Sequence, residues 1–259
     1  MPPPATPELA TLVIHGRVAR LTLNRPESRN ALSPELLAAL HARVDDLAAH
    51  SADPATAPTV LALSGEGKAF CAGMDLKLVL GSPERAAALL ASLADLTLKI
   101  RALPCVSLAI VNGAAIGGGC GLSTVCDLSI THADAKLGFP EVDLGVCPAV
   151  VAPWLVAKIG HAAARRVLLS GGLMSGLDAH AAGIVTHVVP TLADLAPAAD
   201  AIIARLATGA PQALAATKRL LNDLDASLDP DTLRRAAALS AQVLNTPESQ
   251  AMLRAKLGA

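Results

Sequence analysis

Aromatic side chains are nearly missing from this chain: two Phe, one Trp and no Tyr among 259 residues. Stacking of bases on aromatic faces is thereby a poor basis for recognition, which argues against single-stranded nucleic acid as a ligand. Net charge is nearly missing too. A formal −1 gives no field that would draw nucleic acid or an anionic membrane to the surface. No apolar run reaches the length of a bilayer span, and Met1-Pro2-Pro3-Pro4 lacks the basic and apolar regions of a signal peptide. A cytoplasmic protein with no membrane partner is expected. The cysteines, Cys71, Cys105, Cys120, Cys126 and Cys147, are odd in number and include no Cys-x-x-Cys pair. Structural zinc and a disulfide framework are disfavoured, and buried free thiols are expected. The histidines lack the i, i+4 spacing of a helical metal site, so no metal is expected.

What remains is aliphatic. Hydrophobic residues make up 53% of the chain against 17% charged, the balance of a globular protein whose core Ala, Leu and Val must fill. A Pro-rich lead covers residues 1–9. Leu12-Val13-Ile14 and Val18 to Leu23 read as strands around Gly16, and Val60 to Leu63 and Val106 to Val111 as buried strands. Ser33-Pro34-Glu35 opens a helix to about residue 49, with Ser as cap and Pro in the first turn. Ser82-Pro83-Glu84 repeats that logic for a long helix ending near Leu103-Pro104. A further helix is expected from Gly121 to Cys126. Strands alternating with helices indicate an α/β fold with crossover connections. From about Thr191 the texture becomes alanine-rich and helical, so the chain divides into an α/β core over 1–190 and a helical C-terminal subdomain over 191–259.

Chemistry concentrates between Val106 and Glu141. A β-rich segment runs into Gly117-Gly118-Gly119, and a carboxylate follows in Phe139-Pro140-Glu141. Main-chain N–H groups exposed by a glycine turn at a helix start can hold a developing negative oxygen. Phe70-Cys71-Ala72-Gly73-Met74-Asp75 offers a second set of such donors. Together with a nearby carboxylate they suggest an enzyme that stabilises an enolate. A nicotinamide site has a similar layout, but G-x-G-x-x-G is not satisfied anywhere in residues 113–124.

Several separate motifs carry a resemblance. They are Leu23-Asn24-Arg25-Pro26-Glu27 with Asn30-Ala31-Leu32, Gly67 through Lys77, Val111-Asn112-Gly113, Gly117-Gly118-Gly119-Cys120, Cys126-Asp127, Pro140-Glu141, and Pro211 through Lys218. In this order they resemble the crotonase superfamily of enoyl-CoA hydratases and isomerases. The resemblance implies a spiral of repeated β-β-α units, a helical oligomerisation region giving a homotrimer or hexamer, and an acyl-CoA substrate. It implies no cofactor apart from the coenzyme A of the thioester itself. It places an oxyanion hole on the main-chain N–H groups of Met74 and Gly118 and the catalytic acid/base on Glu141. It further implies that the Ala72 carbonyl meets the adenine of CoA and that Lys77 and Arg29 meet its phosphates.

Gly121 departs from the pattern. Hydratases of the two-glutamate type carry Glu there, and the pair holds a water. A single carboxylate is what 3,2-enoyl-CoA isomerases use. Yet Gly121-Leu122, with Glu141-Val142, Leu144-Gly145, Pro148-Ala149 and Ala152-Pro153-Trp154, also resembles bacterial hydratases of branched, glutaconyl-type thioesters. A hydratase is therefore the first expectation, an isomerase the second, and a non-catalytic acyl-CoA-binding protein the alternative of another class. Asp75 is expected to brace its turn, and Asp143 to supply a second polar group if its loop turns inward. Cys120 and Cys147 are expected to pack rather than react, and His161, His180 and His187 to serve surface or packing roles.

Overall fold

The computed structural model describes residues 8–53 and 55–258. Most of the expected Pro-rich lead, residues 1–7, thus lies outside the described residues.

The strands are β1 (Ala10–His15), β2 (Val18–Leu23), β3 (Val60–Gly65), β4 (Ala69–Cys71), β5 (Val106–Val111), β6 (Ala114–Ile116), β7 (Leu128–His132), β8 (Lys136–Gly138), β9 (Leu173–Ser175) and β10 (His187–Val189). They form a six-stranded sheet of order β1-β2-β3-β5-β7-β10 and a four-stranded sheet of order β4-β6-β8-β9. β1 and β2 pair antiparallel; from β2 to β10 the larger sheet is parallel. In the smaller sheet β4, β6 and β8 are parallel and β9 is antiparallel to β8. Three successive turns, β3-β4, β5-β6 and β7-β8, each give a longer strand to the first sheet and a three-residue strand to the second before crossing back. This is the expected spiral.

The helices are α1 (Pro34–His50), α2 (Leu76–Val79), α3 (Pro83–Ala102), α4 (Gly118–Val125), α5 (Ala152–Ser170), α6 (Gly176–Ala181), α7 (Leu192–Ala207), α8 (Pro211–Leu224), α9 (Pro230–Leu244) and α10 (Pro247–Leu257). Among the described residues no helix is long and apolar enough to cross a membrane. Ser33 caps α1 as its sequence predicts, its side chain accepting from the Leu36 N–H at 3.2 Å. Ser82 does not cap α3: its side chain makes no cap bond, and Pro83 alone shapes that start. α4 begins at Gly118, three residues before the expected start, because Gly117 rather than a later residue makes the turn.

Both faces of the larger sheet are covered, as continuous apolar runs in parallel strands require. Val60, Ala62, Leu108 and Ile130 pack against Leu195, Ala199 and Ile203 of α7. The alternate residues, Leu61, Leu63, Ala109 and Val111, join the main core with α1 and α3. Within the C-terminal helical stretch, then, α7 covers the sheet, whereas α9 lies along α3.

The segment leading to the site hangs on Asn30, which is fully buried with φ 55°. Its Nδ2 donates to the carbonyls of Glu66, Ala69 and Phe70, and its Oδ1 accepts from the Arg25 N–H at 2.8 Å. Asn30→Ala will strand several of these buried groups and put alanine, without the side-chain hydrogen bonds that let asparagine tolerate it, in the left-handed region. Stability should fall by at least about 2 kcal/mol in urea denaturation. An unchanged midpoint would show that the contacts carry no net energy.

Candidate active site

Three turns meet in one cavity. The first follows β4, where Gly73 adopts φ 87° and Met74 forms an isolated parallel bridge with Leu32. In that bridge Leu32 N–H donates to the Gly73 carbonyl at 2.8 Å and Asp75 N–H to the Leu32 carbonyl at 3.0 Å. The Met74 N–H is left on the other side. The second turn follows β6. Gly117, at φ 54°, donates to the Gly138 carbonyl and starts α4. A Cβ on Gly73 would lie 3.7 Å from the Gly118 nitrogen, so the two turns are in contact. Among the described residues, neither the Met74 nor the Gly118 N–H donates to a protein acceptor. Two free donors on adjacent turns, one of them at a helix N-terminus, form a small positive locus.

The third turn carries Glu141. β8 delivers Phe139 into the core, and Pro140 turns the chain so that Glu141 enters the same cavity. Its carboxylate lies over Gly117: a Cβ there would stand 2.8 Å from Oε1. Oε2 is buried without a hydrogen-bond partner. Burial raises the Glu141 pKa to about 7, against the lowering effect of its own backbone hydrogen bond. Among the described residues no cation lines the cavity to oppose that shift. A carboxyl poised between its two states near neutral pH suits an acid/base that must take and return a proton.

Apart from Cys147 and Ser240 the rest of the lining is apolar, with Leu32 and Leu37, Leu89 and Leu93 from α3, and Val150 and Val151 leading into α5. Val151 explains Gly121. A Cβ at position 121 would meet Val151 Cγ1 at 2.4 Å, far inside van der Waals contact. The volume that a side chain at 121 would take is already aliphatic, so among the described residues Glu141 is the only carboxylate lining the cavity.

The sequence that builds this site matches a family model, enoyl-CoA hydratase/isomerase, over residues 14–258. The chain belongs to the enoyl-CoA hydratase/isomerase family. It is 34% identical to the 2,3-dehydroadipyl-CoA hydratase of Escherichia coli over 206 residues, 79% of this chain and 78% of that protein. Among solved structures, an enoyl-CoA hydratase from Mycobacterium avium superposes with TM-score 0.85 at 30% identity, covering 98% of this chain and 97% of that one. AtuE of Pseudomonas aeruginosa superposes with TM-score 0.78 at 35% identity, covering 93% of each chain.

Against that family background, the remaining expected residues fall into two groups. Ala72 lines the cavity, and its N–H donates to the Arg29 carbonyl at 3.0 Å, which sets the two residues side by side. The side chains of Arg29 and Lys77 are exposed and outside the cavity, and among the described residues neither forms an ion pair. Asp75 pairs with Arg25 at 3.1 Å and braces the Met74 turn from behind. Asp143 does not turn inward. Its Oδ2 accepts from the Gly172 N–H at 2.7 Å, because the short turn Val142–Leu144 points the side chain at the β9 approach. All five cysteines are free thiols; four are buried, and Cys147 is half-buried at the cavity edge.

Two lining residues escape a linear reading. Val151 is paired with Gly121 only in space, and nothing at position 151 announces it. Ser240 reaches the cavity from α9. It does leave a trace, being a hydroxyl on the buried stripe of Leu233, Ala237, Ala241 and Leu244.

Proposed function

We propose that the protein is an enoyl-CoA hydratase in which Glu141 alone both takes and returns the transferred proton. The thioester carbonyl oxygen would accept from the Met74 and Gly118 N–H groups. Glu141 takes a proton from water as the water oxygen bonds to C3 of the 2-enoyl chain. The electron pair of the double bond passes to the carbonyl oxygen as an enolate, and Glu141 returns the proton to C2. Loss of one oxyanion donor in such a site costs about 2.7–4 kcal/mol of barrier, so the hole would matter as much as the acid. The Ala72 carbonyl would meet the adenine of CoA at the mouth, with Lys77 and Arg29 near its phosphates. What carries the proposal is the buried Glu141 oxygen without a partner, facing an apolar cavity beside two free N–H groups.

A second reading has its own support. With Val151 filling the place beside Gly121, no second carboxylate helps to hold a water. Glu141 alone could carry a proton from C2 to C4 of a 3-enoyl chain, which is double-bond isomerisation. The assembly reading draws support from the exposed leucines 220, 221 and 224 on α8, which a neighbouring copy would cover. A cytoplasmic location fits a CoA thioester as substrate.

Incubation with straight 2-enoyl, 3-enoyl and 3-methylglutaconyl thioesters in isotopically labelled water decides among these. The expected product is a 3-hydroxyacyl-CoA carrying the label. Conversion of 3-enoyl to 2-enoyl without label would establish the isomerase. Binding without turnover of any thioester would leave a non-catalytic acyl-CoA-binding protein.

A further inference from the structure

The geometry points to Ser240 as a positioning residue that fixes Glu141 through the loop between Glu141 and α5. This deepens the proposed function and rests on it for the catalytic consequence. Ser240 is 1% exposed. Its Oγ donates to the Cys147 carbonyl at 2.7 Å and accepts from the Ala149 N–H at 3.2 Å. One hydroxyl thus clamps both sides of Pro148. Immediately before that clamp, the Val146 N–H donates to the Glu141 carbonyl at 2.8 Å, and the Leu144 N–H donates to the same oxygen at 3.0 Å. Immediately after it stand Val150 and Val151, the apolar wall of the cavity.

The loop has few other ties. Pro148 has no N–H to give, and its carbonyl serves the Ala152 N–H of α5. α9, which carries Ser240, is seated by Leu233, Ala237, Ala241 and Leu244 in the main core. The serine therefore transfers the rigidity of a packed helix to residues 145–151, which belong to no helix or strand. Met252 of α10 adds a contact at the other end, against Gly145. The C-terminal helices hold in cis the segment that sets both the acid and the wall opposite it.

Ser240→Ala in the full chain tests this. Amide exchange over 146–150 should accelerate, and kcat on the best 2-enoyl thioester should fall roughly ten- to a hundredfold, as sub-ångström to 1 Å displacements do. KM should change far less. The Glu141 titration, read by carboxyl NMR in the free protein, should move down from about 7 toward 4.5 as water reaches the loosened site. Ser240→Cys keeps the shape with weaker hydrogen bonds and serves where alanine unfolds the protein. A lowered melting temperature with unchanged kcat and an unmoved Glu141 titration would overturn the assignment. Should wild type turn over no enoyl thioester, the proposed hydratase falls. The exchange and titration measurements still decide the role of Ser240, and no change in either refutes it.

Discussion

Replacing Glu141 by glutamine will lower turnover of a 2-enoyl-CoA by about 10²–10⁴-fold, the usual contribution of a positioned acid/base. The amide keeps the shape of the side chain and its place over Gly117 but cannot accept and return a proton. Fold and thioester affinity should therefore survive. The same substitution has a second, independent signature. In the unfolded chain Glu141 releases its proton near 4.5, whereas in the fold it holds it to about 7. Between those values the native state binds more protons than the unfolded state, so stability falls as pH rises. The difference between about 7 and 4.5 corresponds to about 3 kcal/mol lost across that window. The glutamine variant has no such group. Denaturation series for the two proteins, subtracted at each pH, should diverge from near 4.5 and level off above 7, with the variant the more stable at the alkaline end. Activity should run the opposite way in wild type, since attack on C3 needs the carboxylate. Turnover should rise with pH through 7. Retained activity in the variant would remove Glu141 from the mechanism. Parallel stability curves would mean that its carboxylate is better solvated than its unpartnered Oε2 implies.

The parts of this molecule visible in the sequence are those that depend on local rules. Ser33-Pro34 marks a helix start because cap and fixed φ act within one turn. Val60 to Leu63 reads as a buried strand because its run is apolar on both faces. The glycine cluster at 117–119 and the carboxylate at 141 could be joined because one shows a helix N-terminus and the other a charge. The rest is tertiary. β4, β6 and β8 are three residues long each and too short to show a period. Ser82 has the composition of a cap but not the bond, since proline by itself suffices to start α3. The direction of Asp143 was set by a 3-10 turn whose geometry no pairwise spacing encodes. Gly121 was visible as a missing side chain. What replaced it was not, for Val151 reaches position 121 only after β7, β8 and the Glu141 turn have been laid down between them.

Gly121→Glu will not create a second catalytic carboxylate; it will unfold or severely destabilise the protein. The first atom of any side chain at 121 would stand 2.4 Å from Val151 Cγ1 and 3.2 Å from its Cβ, contacts that no rotamer of the new residue can avoid. Even Gly121→Ala should cost about 1–3 kcal/mol by overpacking. Val151→Ala alone opens a small void, yet combined with Gly121→Ala it should recover most of that cost. The coupling can be read from a double-mutant cycle in urea. The chemical test follows from the same geometry. In a Val151→Gly, Gly121→Glu protein the new carboxylate would enter beside Glu141, where among the described residues no cation lines the cavity. Two like charges there cannot both ionise freely, so one titration should move above 7 and the pair should titrate in two steps. Hydration confined to this double variant and missing from wild type would mean that the native single-carboxylate site is built for moving a double bond. Hydration by wild type that the double variant only modifies would mean that one acid is enough to deliver water.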